Sequence, residues 1–329
     1  MKTARGNLLT RVAVHSATEC PRQSSYAARS CGQNYKKCEI KKMFFVSGIT
    51  GKVGGATARR LLESGFKVRA LVRNPQKASG WLEKGVDVHE GDLNDASAVA
   101  QALQGVEGAF VMLPPIAAPT AGFVEAKAII ESLHEALQRV PTPRLVALSS
   151  IGSEQTSGLG LITTTHLLEE ALSRLPIPIA VIRAGSFLEN YVYGLKAAAS
   201  TGWFETYLTP TDRAISMVAA TDIGNEIAHL LGFGWAGKKI GELGSPVSPD
   251  DLARALSTVL ARPVQARSIP RHEWTATLEA QGMPIGTTGP FEEMEDGFNS
   301  GWITFGVPGT DTIPGTVSAT QVFAEAMKA

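Results

Sequence analysis

Three glycines in the stretch GITGKVG, Gly48, Gly51 and Gly54, are spaced three residues apart. A buried-strand pattern ends before them and an amphipathic helix pattern follows. Such glycines permit a tight turn, a close approach to a diphosphate and close helix–strand packing. The helix start also favours an anion. We therefore predict a dinucleotide phosphate site, the alternative being a glycine turn without a ligand. Its predicted contacts are Gly48, Thr50, Gly51, Lys52, Val53 and Gly54.

The end of the second predicted strand indicates which dinucleotide binds. This strand ends in ALVRNP, so Arg73 stands where an NAD site usually has an acidic residue for the ribose hydroxyls. A guanidinium there attracts a 2′-phosphate, and Lys52 and Lys77 add positive charge. We predict NADP(H) as the cofactor, with NAD(H) less favoured. The alternative is a solvated arginine at a strand end.

Residues after the third, fourth and fifth predicted strands complete the predicted cofactor site. In GDLND, Asp92 can accept a hydrogen bond from adenine while Leu93 packs on the ring. Asp92 and Asp95 can also cap the next helix, and the two interpretations are compatible. Ser149 ends the fifth strand, where ligands bind in open α/β sheets, and can contact the nicotinamide ribose or a substrate carbonyl. A satisfied strand-end hydroxyl is the alternative. The fourth strand adds the lining residues Leu113, Pro114 and Pro115.

Short apolar runs alternate with helical patterns from Met43 onward. The predicted strands are 43–49, 67–73, 86–92, 108–113, 144–150 and 179–185, and the predicted helices are 53–65, 95–105, 120–140 and 161–175. This alternation is typical of the α/β class, with a Rossmann-like, doubly wound parallel sheet. We expect a dinucleotide-binding domain over 43–200. We expect 201–329 to be mainly a small α+β substrate-side lobe, interleaved with the sheet.

The first 42 residues differ from the rest of the chain in charge and cysteine content. They carry nine Lys or Arg against two Glu, a balance of +7, whereas the full chain is neutral. All three cysteines also lie there, which excludes a thiolate metal site or a cysteine nucleophile after Met43. We interpret 1–42 as a disordered basic leader or a start-site artefact, the alternative being a transit peptide. We expect a cytoplasmic protein, or an organellar one if the leader is a transit peptide.

Several other functions lack the required residues. No nucleophile elbow of the G-x-S-x-G type occurs, and the histidines show no metal-ligand spacing, so we predict no metal. The neutral charge does not favour nucleic acid, and no apolar run could span a bilayer. We expect a small-molecule partner and a monomer or homodimer.

The stretches GITGKVG, LVRNP, GDLND, LVALSSIGS, RAGSFLENY and FNSGW, in that order, resemble the NmrA-like branch of atypical short-chain dehydrogenases/reductases. The resemblance implies a Rossmann-like NADP(H) domain with a substrate cleft beside it. It also implies that Phe187 flanks the nicotinamide ring. Members include NAD(P)H-dependent quinone reductases, reductases of plant phenolics and redox-sensing regulators.

The chain departs from the superfamily at its Tyr-x-x-x-Lys pair. The matching stretch reads ITTTH, with Ile162 at the tyrosine position and His166 at the lysine position. An isoleucine cannot transfer a proton. His166 can contact the nicotinamide ribose or act as a general acid, and a structural histidine is the alternative. We therefore expect an NADPH-dependent reductase of a quinone or conjugated carbonyl compound, with His166 and Ser149 as candidate catalytic residues. The alternative is a non-catalytic NADP(H) sensor.

Overall fold

The computed structural model describes residues 42–328. The predictions about the leader therefore fall, except at Lys42, outside the described residues. The strands are β1 Met43–Val46, β2 Lys67–Val72, β3 Asp87–Glu90, β4 Gly108–Val111, β5 Leu145–Ser150, β6 Ile179–Ala184, β7 Ser186–Phe187, β8 Trp203–Thr206, β9 Ile215–Val218, β10 Lys238–Leu243, β11 Ser245–Val247, β12 Gln265–Ser268 and β13 Asp311–Ile313. The helices are α1 Lys52–Glu63, α2 Ser79–Leu82, α3 Ala96–Leu103, α4 Val124–Arg139, α5 Thr163–Leu172, α6 Gly194–Thr201, α7 Ala220–Phe233, α8 Pro249–Leu260, α9 Trp274–Ala280, α10 Gly289–Ser300 and α11 Ala319–Ala326.

Eight parallel strands form the main sheet, in the order β13-β10-β6-β5-β4-β1-β2-β3. The predicted Rossmann-like α/β class is confirmed. The chain runs outward from β1 through β2 to β3, then returns to β4 on the other side of β1 and continues to β6. Ligands of such sheets bind at the carboxyl ends of the strands where the order reverses. The glycine turn follows β1 and therefore lies at this switch point.

The strands are apolar on both faces because helices cover both faces. Phe44 and Phe45 alternate across β1 and belong to separate hydrophobic clusters. The cluster around Phe44 includes residues of α1 and α7, such as Leu61 and Ile227. The cluster around Phe45 includes residues of α3, α4 and α5. Burial on both faces fixes the register of β1 and the position of the turn after it.

The second half of the chain adds two small sheets and a third hydrophobic cluster. One sheet has the order β11-β9-β7 and the other pairs β12 with β8. Helices α6, α8, α10 and α11 pack around a cluster that includes Phe204, Leu252 and Phe298. Because β10 and β13 join the main sheet, the second half contributes to both regions. The predicted domain boundary at residue 200 stays a prediction.

One predicted helix begins differently from the observed one, and one observed strand was not predicted. The helix predicted over 161–175 begins with a 3-10 turn at Gly160–Ile162 and continues as α5. The edge strand β13 was not predicted, because two exposed residues and one half-buried residue beside a proline carry no clear strand pattern. Within residues 42–328, no helix combines the length and apolarity needed to cross a membrane.

Candidate functional site

The turn between β1 and α1 has the geometry that its glycines predict. Gly48 adopts a φ of +63°, a left-handed conformation that favours glycine, and its carbonyl accepts a hydrogen bond of 2.9 Å from the Gly51 amide. A Cβ on Gly54 would lie 2.3 Å from the Gly48 oxygen and 2.6 Å from the Ser47 oxygen. Gly54 therefore lets α1 pack directly against the turn.

The start of α1 leaves backbone donors free for an anion. The helix has no side-chain cap and no acidic residue in its first turn. The Gly55 amide donates to the Gly51 carbonyl at 3.0 Å and begins the backbone ladder of the helix. The amides of Lys52, Val53 and Gly54 precede that ladder, so they can donate to phosphate oxygens. The residues present therefore fit the diphosphate of a dinucleotide.

Three exposed cations follow the first two strands: Lys52 begins α1, and Arg73 and Lys77 come after β2. Arg73 directly follows β2, at the carboxyl edge of the sheet. Asn74 fixes the next turn by accepting a hydrogen bond of 2.9 Å from the Gln76 amide. Among residues 42–328, none of the three cations forms an ion pair or a side-chain hydrogen bond. Their charges therefore remain available to a phosphate ligand.

The two aspartates after β3 take different roles. Asp95 caps α3 by accepting hydrogen bonds from the Ser97 and Ala98 amides at 2.9 and 3.1 Å, so the predicted cap is present. Asp92 instead forms a local turn, in which one carboxylate oxygen accepts from the Asn94 amide at 2.9 Å. Leu93 is half-buried beside it. The second carboxylate oxygen of Asp92 has no partner within the described part of the chain and can accept from adenine.

The segment after β4 borders the glycine turn through two residues that the sequence analysis missed. The buried hydroxyl of Ser47 accepts a hydrogen bond of 3.0 Å from the Met112 amide. A Cβ on Gly48 would lie 3.2 Å from the Met112 sulfur. These contacts place Leu113, Pro114 and Pro115 directly after the strand neighbouring the turn. The two prolines are exposed there and Leu113 is half-buried.

Ser149 belongs to a buried network of charged groups. Its hydroxyl donates to Glu169 at 2.5 Å, and its side chain is buried. Arg183, its neighbour on β6, donates to Glu169 at 2.8 and 2.9 Å and to Glu154 at 3.0 Å. The Ser149 hydroxyl is therefore engaged within the protein, which favours the satisfied strand-end interpretation. Its catalytic role stays a prediction.

This network was not predicted from the sequence, although one signal pointed to it. A charged residue inside the apolar strand IAVIRAG requires a buried partner. Burial alone would lower the pKa of Arg183. The hydrogen bond and charge of Glu169, with the charges of Glu154 and Glu242, outweigh burial and hold that pKa above its ordinary value. Arg183 is therefore a permanent cation that anchors α5 to the sheet.

His166 lies on α5, above the loop that follows β5. Its Nδ1 is 2.9 Å from the Ser153 carbonyl oxygen, which can only accept, so Nδ1 carries the hydrogen. The ring is half-buried. The remaining nitrogen, Nε2, has no partner among residues 42–328 and is free for a ligand. This geometry suits a contact with a ribose hydroxyl or a proton transfer.

Ile162, which stands at the position of the superfamily tyrosine, lies in an apolar environment. Ile162 is 6% exposed and packs in the same cluster as Phe298 and Ile303. Its side chain therefore has a packing role, and the described protein offers no phenol at this position.

Phe187 lies in β7, directly after the end of β6, and is half-buried against the main core. The following acid, Glu189, has a structural partner. Both of its carboxylate oxygens accept from the Ala220 amide, at 2.9 and 3.1 Å, at the start of α7. Glu189 thus caps a helix that begins 31 residues later. That Phe187 flanks the nicotinamide ring stays a prediction.

An open cavity of about 760 Å³ lies elsewhere, lined by Arg60, Phe66, Glu226 and His229 among others. Arg60 is in the last turn of α1, whereas the glycine turn precedes the first. A helix rises about 1.5 Å per residue, so the two ends of α1 are about 18 Å apart. This cavity therefore does not serve the predicted dinucleotide site.

A parallel sheet whose order reverses at an uncapped glycine turn defines a dinucleotide-binding fold. The chain belongs to the NmrA-like family, which matches residues 40–303.

Relatives and solved structures agree with this assignment. The chain is 25% identical over 280 residues to quinone oxidoreductase 2 of Escherichia coli, an alignment covering 79% of this chain and 89% of that protein. It is also 25% identical to an NAD(P)H azoreductase of Xenophilus azovorans, covering 77% and 86%. The Escherichia coli NADPH-dependent quinone oxidoreductase complexed with NADPH superposes with a TM-score of 0.72 at 22% identity, covering 87% and 100%. A Citrobacter triphenylmethane reductase complexed with NADP(H) gives 0.71 at 22% identity, covering 86% and 99%.

Proposed function

We propose that this protein is an NADPH-dependent oxidoreductase that reduces a quinone or another conjugated carbonyl compound. The observation that carries the proposal is the uncapped glycine turn, together with Arg73 after β2, which has no ion-pair partner among residues 42–328. The names of its relatives, a quinone oxidoreductase and an NAD(P)H azoreductase, support a reductase acting on conjugated acceptors.

Each part of the cofactor has candidate contacts along the carboxyl edge of the sheet. The amides of residues 52–54 hold the diphosphate, and Arg73 holds the 2′-phosphate. Asp92 and Leu93 hold adenine. Near the nicotinamide, His166 Nε2 contacts the ribose and Phe187 flanks the ring. NADPH bound there supplies a hydride, and the protein supplies position and electrostatics.

A quinone suits a site in which Ile162 replaces the proton-donating tyrosine. Its oxygens become acidic hydroxyls on reduction, and water or a nearby acid can protonate them. An unconjugated ketone would develop a strongly basic alkoxide and would depend far more on a protein acid. The acceptor is therefore a compound whose reduced form spreads its negative charge by conjugation.

Steady-state NADPH oxidation with a panel of para-quinones tests the proposal. We expect turnover above the uncatalysed rate, and a loss in kcat/KM of roughly 10-fold or more in His166→Ala, because the ribose contact positions the cofactor. His272→Ala is the matched control, since His272 is exposed and pairs only with the neighbouring Glu273. This control should retain wild-type kinetics.

The sensor remains the second candidate, and the buried Ile162 favours it. A protein without an acid at this position can bind NADP(H) and report its redox state to a partner. Tight NADPH binding without turnover on any acceptor would support the sensor and contradict the reductase.

A further inference from the structure

Two cations lie over the indole ring of Trp81, which belongs to the short helix α2. The guanidinium carbon of Arg59 is 6.0 Å from the ring centroid, and Nζ of Lys84 is 5.0 Å from it. The face of an indole attracts a cation within about 6 Å of its centroid. Trp81 is half-buried and packs against the hydrophobic cluster around Phe44. Its ring therefore holds the Arg59 guanidinium in place, although Arg59 itself is exposed.

The Arg59 side chain reaches back from the second half of α1 to the first turn of that helix. A Cβ on Gly55 would lie 3.2 Å from the Ile49 carbonyl oxygen, 3.4 Å from Arg59 Nη1 and 3.5 Å from Trp81 Cζ2. Ile49 belongs to the glycine turn, and the Gly55 amide begins the backbone ladder of α1. Side chains on a helix tilt toward its N-terminus, which gives Arg59 this direction. Its guanidinium therefore lies beside the glycine turn.

Arg59 and its neighbour Arg60 differ in their partners. Within residues 42–328, Arg59 forms no ion pair and donates no side-chain hydrogen bond. Arg60 pairs with Glu63 at 3.8 Å and lines the separate cavity described above. Successive residues on a helix point about 100° apart, so the two arginines face different surfaces. A guanidinium whose hydrogens have no protein acceptor can donate two parallel hydrogen bonds to a phosphate.

The segment that carries Trp81 begins at Arg73, directly after β2. Along this segment, Ala78 is fully buried in the cluster around Phe44, which also contains Leu61 of α1. The segment therefore packs on the same face of the sheet as α1. Arg73 stands at its start, and the Trp81 ring near its end meets the Arg59 guanidinium. The first turn of α1 and the end of β2 thus each carry an arginine without an ion-pair partner among the described residues.

We propose that Arg59, held by Trp81, is a second arginine for the 2′-phosphate of NADP(H). The inference rests on the proposed NADPH-dependent function and adds a specificity-determining residue to it. The adenosine ribose joins the diphosphate to the 2′-phosphate. A nucleotide whose diphosphate binds at residues 52–54 therefore carries its 2′-phosphate within one sugar of that turn. Arg59 binds this phosphate from the side of α1 and Arg73 from the side of β2, and NADH offers neither contact.

Calorimetric titration with NADPH and with NADH tests the role of Arg59. Arg59→Ala should weaken NADPH binding roughly fivefold, because solvent partly screens an exposed guanidinium–phosphate contact. NADH affinity should stay at the wild-type value, since NADH has no 2′-phosphate. Arg60→Ala is the matched control, because Arg60 is adjacent, exposed, on the same helix and of the same charge. It should bind both nucleotides as wild type does.

Trp81→Leu tests whether the indole positions the guanidinium. The substitution removes the aromatic face but keeps an apolar side chain against the hydrophobic cluster. It should weaken NADPH binding roughly threefold when Arg59 is present, because the guanidinium loses its cation–π contact. In the Arg59→Ala background the same substitution should leave NADPH affinity unchanged, because its effect passes through Arg59. An equal loss in both backgrounds would overturn the positioning role of Trp81.

The outcomes distinguish this inference from the proposed function. If wild type prefers NADPH and Arg59→Ala keeps that preference in full, the role of Arg59 is overturned and the NADPH-dependent function stands. Equal losses of NADPH and NADH affinity in Arg59→Ala would put the guanidinium on the diphosphate and would also overturn its role. A wild type that binds neither nucleotide, or binds both equally, would overturn the choice of NADPH and the role of Arg59 together.

Discussion

Two arginines at the carboxyl edge of the sheet differ in whether they have ion-pair partners within the protein. At the end of β2, Arg73 is exposed and unpaired among the described residues, as are Lys52 and Lys77. At the end of β6, Arg183 is 5% exposed and pairs with Glu154 and Glu169. One region leaves its cations free for a ligand, and the other uses its cation to hold a helix on the sheet.

This difference separates binding groups from structural groups. A group that already has its partners gains little from a ligand, whereas a free helix start or guanidinium gains a strong hydrogen bond. Ser149 follows the same rule, because its hydroxyl already donates to Glu169.

Arg183→Met should have the largest effect, on stability. Removing one partner of a buried ion pair leaves Glu169 and Glu154 unpaired and costs about 3–5 kcal/mol in the free energy of unfolding. Denaturant titration measures this cost. Arg174→Met is the control, since Arg174 pairs with Glu170 on the surface and should cost less than about 1 kcal/mol. Equal losses in the free energy of unfolding for Arg183→Met and Arg174→Met would contradict the structural role of the buried ion pairs.

Gly54→Ala should weaken NADPH binding most among changes at the glycine turn. The new Cβ would overlap the Gly48 carbonyl, so the turn must move, at a cost of about 1–3 kcal/mol. If that strain falls on the bound form, affinity drops by a factor on the order of 10–100. Calorimetry measures the affinity, and Gly80→Ala is the control because no atom lies within 4 Å of its added Cβ. If Gly54→Ala binds NADPH with wild-type affinity, the diphosphate does not bind at this turn.

Arg73→Ala should have the smallest but most selective effect. Because Arg73 is exposed, solvent screens it, and we expect about a tenfold loss of NADPH affinity. NADH affinity and Tm should not change, since NADH lacks the 2′-phosphate and Arg73 has no partner to lose. Lys127→Ala on α4, also exposed, controls for a general loss of positive charge. An unchanged ratio of NADPH to NADH affinity would contradict the role of Arg73.

The fold was largely predictable because its causes are local. A parallel strand covered on both faces must be apolar throughout, so β1, β4, β5 and β6 appear as short continuous runs. The turn was also predictable from a local cause, because Gly48 and Gly54 each occupy a position that disfavours a side chain. The edge strand β13 is short and exposed, so its pairing with β10 is visible only in three dimensions.

The site was less predictable because its partners are distant in sequence. The carboxyl of Glu189 caps a helix that begins at Ala220, and nothing near Glu189 in the sequence indicates this. In the sequence, Glu292 looks like one acid in the solvated face of a helix. Only the fold shows that Glu292 has Arg271 as a partner.

Calorimetric titration of the full chain with NADPH and with NADH tests the central claim most directly. We expect one binding site per chain for NADPH, at least tenfold tighter than for NADH, because the amides at the start of α1 meet the diphosphate and the Arg73 guanidinium meets the 2′-phosphate. No heat with either nucleotide would contradict it.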